Sequence, residues 1–251
     1  MAQQLLTTAD FGDDPRALLE GRLERCNERV AAAARRSGRQ PVDVELLVVS
    51  KYIDVDVVRI LHGLGVRDFG ENRVQEALRK REALGDLGDL RIHFIGHLQR
   101  NKARRAVAAF ASIQSLDSTR LASELEDRLA ELERSGTRSS ARLFVEVNVT
   151  GEEQKTGLDP RDLDALLEST ATLPRVRAAL AGLMCMAPNC DDAESARPSF
   201  RRLREFRDRA VATALLPVGA GLSMGMSGDF EVAIEEGATT VRVGSALYGV
   251  H

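Results

Sequence analysis

The sequence predicts an α/β fold: a single TIM (β/α)8-type barrel with an extra N-terminal helix and no second β domain. Three observations point there. The 251 residues match the ~250 typical of that barrel and are short for two domains. Roughly eight β-rich runs alternate with helical patterns, as a parallel barrel requires. No linker rich in Gly, Pro or Ser divides the chain. Residues 1–14 read as a flexible tail and 15–251 as one domain.

The elements follow in order. Asp14-Pro15 marks a helix start, with Asp as N-cap and Pro at the first helical position. Leu19, Leu23, Cys26 and Val30 recur behind it at helical spacing, and Gly38 ends the helix after Arg35-Arg36. Glu45–Lys51 is the first strand. Asp54 caps a helix bearing Val57, Val58 and Leu61. Arg67–Gly70 is a short strand, followed by a helix with Val74, Ala77 and Leu78 inward and Glu76–Lys80 as an i,i+4 pair. His93–Ile95 is a strand, then a basic helix runs through Gln99–Phe110. Ser112–Leu116 is a strand, and Leu121, Leu125, Leu129 and Leu132 mark the helix after it. Arg142–Val149 reads as a long strand. Asp159-Pro160 opens a helix with Leu163, Leu166 and Leu167. Leu180–Met186, a basic helix with Phe200, Leu203 and Phe206, Leu222–Met226, a short helix with Phe230 and Ile234, and Thr240–Gly244 complete the alternation.

Composition bounds the function. Aromatic residues are 4% with no Trp, which argues against a base-stacking nucleic-acid reader. The formal net charge of -3 supplies no global field for a polyanion. The basic runs around Arg100, Lys102, Arg104 and Arg105, and from Arg197 to Arg209, read as solvated outer faces of helices. Cys26, Cys185 and Cys190 form an odd, sparse set, as expected of reduced thiols. No run approaches the ~20 apolar residues of a membrane span, and Met1–Asp14 lacks the features of a signal peptide. The expectation from these features is a cytoplasmic protein that binds neither membranes nor nucleic acid.

Strand periodicity locates candidate chemistry. Leu47, Val49 and Lys51 share one face of the first strand. Both of its faces are apolar, as in a central parallel strand. Lys51 therefore closes an apolar strand at its C-terminal end, where barrels carry their sites. Taken alone, that strand leaves two readings open. Lys51 is either a lumenal, desolvated nucleophile or a lysine snorkelling to solvent. The last strand favours the first reading. Thr240, Arg242 and Gly244 share a face opposite Val241 and Val243, so Arg242 points into the lumen and needs a partner there. Gly244-Ser245 and the turn Met224-Gly225-Met226-Ser227-Gly228 follow strands eight and seven, the recurrent phosphate site of this fold. Gly-rich turns with N-cap serines would explain Ser227 equally well, but not Arg242. Glu146 and Asn148 also fall on an inward face. Glu146 fits a satisfied ion network, and Asn148 stays open between network and pocket. His93 and His97 bracket a strand and turn with no carboxylate motif beside them, so no metal site is expected.

At these residues the sequence resembles the YggS/PROSC family of pyridoxal phosphate homeostasis proteins. The resemblance rests on Val48-Val49-Ser50-Lys51, Phe69-Gly70-Glu71-Asn72-Arg73-Val74-Gln75-Glu76, and His93-Phe94-Ile95-Gly96-His97-Leu98-Gln99-Arg100-Asn101-Lys102. It continues through Val147-Asn148 with Lys155-Thr156-Gly157, Gly182-Leu183-Met184, Leu222-Ser223-Met224-Gly225-Met226-Ser227 and Val241-Arg242-Val243-Gly244-Ser245. It implies the alanine racemase-type barrel, with pyridoxal phosphate as cofactor and Lys51 as its Schiff-base lysine. By the same resemblance Asn72 lines the pocket, Arg242 partners the pyridine nitrogen, Ser227, Gly244 and Ser245 bind phosphate, and Met226 contributes backbone. No metal and no catalytic residue is assigned.

Racemases of this fold carry a second β-rich domain and complete their site across a dimer. Here the chain ends a few residues past the last strand, and neither Tyr52 nor Tyr248 stands out as an opposing base. An arginine at the pyridine nitrogen also weakens the cofactor as an electron sink. The expectation is therefore a monomeric binding protein that holds the cofactor and delivers it to apoenzymes. The alternatives are a single-domain pyridoxal-dependent racemase or related enzyme, a cofactor-free Schiff-base aldolase acting through Lys51, and, most remotely, a nucleic-acid binder.

Overall fold

The computed structural model describes residues 5–152, 156–188 and 192–249. The strands are β1 (Glu45–Val49), β2 (Asp68–Glu71), β3 (Arg91–Phe94), β4 (Ser112–Leu116), β5 (Arg142–Glu146), β6 (Leu180–Met184), β7 (Gly221–Met226) and β8 (Thr240–Val243). All are parallel, each pairs with the next, and β8 pairs back onto β1 to close the barrel. Around them run α1 (Pro15–Arg36), α2 (Val55–Gly63), α3 (Val74–Ala83), α4 (Ala103–Ala109), α5 (Thr119–Arg134), α6 (Leu163–Ser169), α7 (Pro174–Ala179), α8 (Arg197–Ala212), α9 (Phe230–Glu235) and α10 (Ser245–Tyr248). No helix among the described residues is long and apolar enough to cross a membrane.

The helix ends obey the local chemistry. The Asp14 carboxylate accepts the Ala17 N–H at 3.0 Å with Pro15 at the first position. Asp54 accepts from Asp56 and Val57, and Ser118 from Leu121; such caps contribute about 1 kcal/mol each. Helix α1 stops where Gly38 takes φ 73° and the Arg39 N–H returns to the Ala34 carbonyl. It docks on the barrel's closing seam, where Arg29 grips Glu231 through two hydrogen bonds and Arg22 donates to the Leu247 carbonyl at 3.0 Å.

Alternation in the strands sets two layers. Val48, Phe69, Ile92, Ile113, Leu143 and Val241 are buried on the outer face, beneath the helices. Leu47 is in register with Arg242 and Gly70 with His93, so these residues share the inner face. The lumen is thus apolar near β1 and polar near β3, β4 and β8.

Several expectations need correction. The N-terminal segment is no loose tail from Leu6 onward. The Leu6 N–H donates to the Tyr52 carbonyl at 2.7 Å and the Leu6 carbonyl accepts from the Asp54 N–H at 2.9 Å. A 3-10 turn, Thr8–Phe11, then buries Phe11 edge-on against Tyr248. Strand β5 ends at Glu146 instead of reaching Val149, because Val147 bridges to Leu158 and the chain turns out of the sheet. Helix α4 is preceded by a separate 3-10 turn, Arg100–Lys102. The α8 arginines are not simply solvated. Arg197 pairs with Glu194, Glu235 and Glu236, and Arg201 and Arg204 also reach Glu236, riveting α8 to α9. In the other basic run, Arg100, Arg104 and Arg105 are exposed.

The Glu76–Lys80 pair does not form. Glu76 meets Arg79 at 2.9 Å. Lys80 is buried, and its Nζ donates to Glu71 Oε1 at 2.8 Å and to the Ser50 carbonyl at 2.6 Å. Lys80 follows Ala77 by three residues, so it lies on the buried face of α3, and an outward glutamate on β2 supplies its partner.

Candidate functional site

The C-terminal ends of the strands surround a cavity of about 720 Å³. Every site residue singled out in the sequence lines it: Lys51, Asn72, Met226, Ser227, Arg242, Gly244 and Ser245. A smaller cavity of about 320 Å³ opens at the opposite end of the barrel beside Glu45, Arg142 and Thr240.

Lys51 follows β1 in a turn held from several sides. Tyr248 donates its hydroxyl to the Val49 carbonyl at 3.0 Å, Lys80 binds the Ser50 carbonyl, and Leu6 binds that of Tyr52. Burial pushes the Tyr248 phenol well above its ordinary value, so it acts as a fixed donor. Ser50 turns outward and gives its hydroxyl to Glu71 at 2.6 Å. The Lys51 ammonium rests 4.5 Å from the Tyr52 ring centroid, a favourable placement for a cation over an aromatic face.

Arg242 points inward as its strand position predicts, and is 4% exposed. Its Nη1 donates to Ser223 Oγ at 2.7 Å and its Nη2 to the Cys185 carbonyl at 2.8 Å. Among the described residues no carboxylate lies within ion-pair distance of it. Burial depresses its basicity, and the nearby charges of Asp229 and Glu146 work against that effect. A guanidinium keeps five N–H donors and its charge in proteins, so Arg242 still has hydrogens to offer toward the cavity.

The turns after β7 and β8 are tied together. Ser227 Oγ accepts the Gly244 N–H at 3.1 Å and the Ala246 N–H at 3.2 Å. Ser227 is thus not an N-cap: Asp229 precedes α9 and Gly244 precedes α10, and the Ser227 hydroxyl instead ties the two turns together, with its hydrogen still free to donate. Asp229 accepts the Met226 N–H at 2.6 Å, and burial raises its carboxyl. Two glycines nearby sit in close quarters. A Cβ on Gly225, at φ 93°, would overlap Ala233 and Phe230, and one on Gly244 would crowd Val49 at 3.3 Å.

The opposite wall was largely missed in the sequence. Gly96, His97, Glu146 and Thr156 line it. Gly96 packs so tightly on the Asn72 backbone that a Cβ would overlap it; the Gly-His pair after β3 was the available signal. Among the described residues Glu146 makes no ion pair, so the expected ion network is not seen. It takes a hydrogen bond from the Thr156 hydroxyl at 2.6 Å and faces the cavity. Asn148 lies beyond the strand and orders a loop, accepting from Thr150 and Gly151. Lys155 and Cys190 lie outside the described residues.

Burial raises the Glu146 carboxyl above its usual value, only partly offset by Thr156. Within the window between the unfolded and folded values the native state holds the extra proton. Stability therefore falls as pH rises through that window, and the cost is complete above the folded value. Glu146→Gln, which keeps the acceptor for Thr156, is expected to raise the melting temperature near neutral pH. It should leave the melting temperature unchanged well below pH ~4, where the carboxyl is protonated in both states. Melting curves across pH check this, and equal shifts at both ends would refute it.

At the barrel floor, Glu45, Asp68 and His93 come together. Their carboxylates are already engaged: Arg91 holds Asp68 through two hydrogen bonds and Arg142 meets Glu45 at 3.2 Å. Burial pushes the Asp68 carboxyl up, but the hydrogen bonds from His93 and Arg91 outweigh it and hold it well below its usual value.

The arrangement offers an amine, a buried guanidinium and a pair of hydroxyl- and glycine-bearing turns around one cavity. That donor set suits a phosphorylated aromatic aldehyde. The amine can capture the aldehyde carbon, the turns suit a phosphate, and the guanidinium suits a ring acceptor between them.

Comparison with known proteins agrees. Residues 22–251 match the family model described as the alanine racemase N-terminal domain. The chain is 45% identical over 230 residues to the pyridoxal phosphate homeostasis protein of Aquifex aeolicus, spanning 91% of this chain and 96% of that one. It is 42% identical over 224 residues to the protein of the same name from Pseudomonas aeruginosa, spanning 88% and 90%. Among solved structures it is similar to PipY of Synechococcus elongatus with PLP bound, at TM-score 0.75 and 39% identity, covering 89% of this chain and 99% of that one.

Proposed function

The chain belongs to the family of pyridoxal phosphate homeostasis proteins, built on the barrel of the alanine racemase N-terminal domain, and from that premise we propose that it holds pyridoxal phosphate covalently on Lys51 and serves intracellular vitamin B6 homeostasis. The observation that carries this reading is the convergence on one cavity of the Lys51 amine, the buried Arg242 guanidinium and the joined turns after β7 and β8. When bound, the cofactor supplies an aldehyde carbon that condenses with amines. Lys51 Nζ is the attachment point. Arg242 donates toward the pyridine nitrogen. Ser227, Gly244 and Ser245, with the Met226 backbone, hold the phosphate, and Asn72 walls the ring. The protein acts in the cytoplasm as a monomer and passes the cofactor to apoenzymes, with no role for nucleic acid.

The proposed role is retention of the cofactor without strong turnover. An arginine at the ring nitrogen keeps that nitrogen unprotonated and the ring a poor electron sink. A racemase-like enzyme, the competing reading, would exchange the α-proton of an added amino acid in deuterated solvent faster than free cofactor does. Exchange at the free-cofactor rate is the outcome expected here.

The deciding experiment is an absorbance spectrum of the protein with pyridoxal phosphate, before and after borohydride, followed by peptide mass mapping. The expected result is a visible band, bleached by borohydride, with the added mass on the Lys51 peptide. Mapping is decisive because the chain has only four lysines: Lys51, Lys80, Lys102 and Lys155. No band, or an adduct spread over the other three, would overturn the proposal and favour a cofactor-free Schiff-base lysine.

A further inference from the structure

A column of polar side chains runs down the barrel axis beneath Arg242. Ser223 Oγ, which accepts from Arg242 Nη1, meets Gln114 Oε1 at 2.6 Å. Gln114 Nε2 donates to Ser112 Oγ at 3.2 Å, and Ser112 Oγ meets His93 Nδ1 at 2.8 Å. His93 Nε2 meets Asp68 Oδ1 at 2.8 Å, and Arg91 closes the column at the floor. Ser223, Gln114, Ser112 and His93 are each at most 1% exposed, so these groups are shielded from bulk solvent.

Counting hydrogens gives the column one direction. A guanidinium only donates, so the Ser223 hydroxyl must accept from Arg242 and spend its own hydrogen on Gln114 Oε1. That orients the amide, whose Nε2 donates to Ser112. The assignment that gives every hydrogen an acceptor has Ser112 donate to His93 Nδ1 and the His93 Nε2 hydrogen aim at Asp68. Asp68 ends the chain as a carboxylate acceptor. Reversing a link leaves a buried hydrogen without an acceptor or sets two acceptors against each other, which is costly at such burial.

We propose that Gln114, with Ser223 above it and Ser112 and His93 below, is a positioning residue for Arg242: the one-way column fixes the guanidinium and so sets which of its N–H groups remain for the cofactor's ring nitrogen. This rests on the reading of Arg242 as a cofactor ligand. It adds that residues remote from the cavity determine how that ligand is presented. It also gives the lumenal polar side chains a purpose that core packing does not, since apolar residues would fill the same space at less risk.

The test is a double-mutant cycle read by pyridoxal phosphate affinity and by the position of the bound cofactor's absorbance band. Gln114→Met, similar in shape but without donor or acceptor, is expected to weaken binding about tenfold, or about 1.4 kcal/mol, and to shift the band. In an Arg242→Ala background it should add nothing, because its effect passes through the guanidinium. Gln114→Glu, which still accepts from Ser223, should recover affinity to within about threefold of the parent. Full additivity of the two substitutions, or a folded Gln114→Met with parental affinity and band, overturns the proposal. If Gln114→Met does not fold, Ser112→Ala serves instead. It removes only the lower link and is expected to weaken binding about threefold by the same route; no change would overturn the proposal. The underlying reading fails separately: Arg242→Ala with parental affinity and band would remove Arg242 from the site altogether.

Discussion

Lys51→Arg will bind pyridoxal phosphate without the visible, borohydride-sensitive band and with affinity about a hundredfold lower, or ~2.7 kcal/mol. The substitution keeps a cation over Tyr52 but removes the amine that can condense with an aldehyde. What remains is the non-covalent half of the proposed site: the turns after β7 and β8 and the Arg242 guanidinium. The loss should therefore be large but incomplete. Equilibrium dialysis with borohydride trapping checks it. Mapping is again simple, because Lys80 Nζ is already committed to Glu71 and the Ser50 carbonyl. A variant that kept the band and the full affinity would mean that Lys51 is not the anchor.

The second large effect lies outside the cavity. Lys80→Met should cost about 3–5 kcal/mol, because it leaves the Glu71 carboxylate buried with only the Ser50 hydroxyl for company. The charges are 8% and 2% exposed, so little solvent is at hand to compensate. Replacing both partners, as in Lys80→Met with Glu71→Leu, should recover most of the stability, since well-packed apolar pairs often equal a buried ion pair. Urea midpoints at constant m-value measure both. A single-variant loss below ~1 kcal/mol would show that water reaches the pair. The double variant asks a further question, because it restores packing without restoring the clamp on the Ser50 carbonyl that precedes Lys51.

Much of this was legible in the sequence, for identifiable reasons. Arg242 could be placed in the lumen because β8 alternates cleanly, with Val241 and Val243 opposite it. Ser112–Leu116 was bounded correctly because helix signals flank it on both sides. Lys80 was misassigned because a charged pair at i,i+4 is the ordinary surface pattern. Only the outward Glu71, nine residues earlier and on a strand, reveals the inward pairing. The lumenal column escaped notice for a similar reason. Ser112 and Gln114 alternate in β4 as plainly as Arg242 does in β8, yet short neutral side chains give no signal until Ser223 and His93 are seen across the barrel. The short helices α7 and α10 have too few turns to show a period. The N-terminal segment lacks an apolar run, and its anchoring depends on backbone hydrogen bonds to the Tyr52–Asp54 turn, which no side-chain pattern encodes.

The closing of the ring has a consequence in time. Lys51 follows the first strand, while Arg242 lies on the last and the Gly244-Ser245 turn follows it, and β1 is flanked by β8 only when the barrel shuts. At a synthesis rate of ~5–20 residues per second, about ten to forty seconds separate the appearance of Lys51 from that of Arg242. During that interval the nascent chain carries the lysine without the guanidinium or the glycine-serine turn. An aldehyde meeting it then finds an ordinary, reversible amine. On the proposed site, selective retention begins only when the final strand slots between β7 and β1, so a nascent chain that has not yet made β8 is blind to its cofactor.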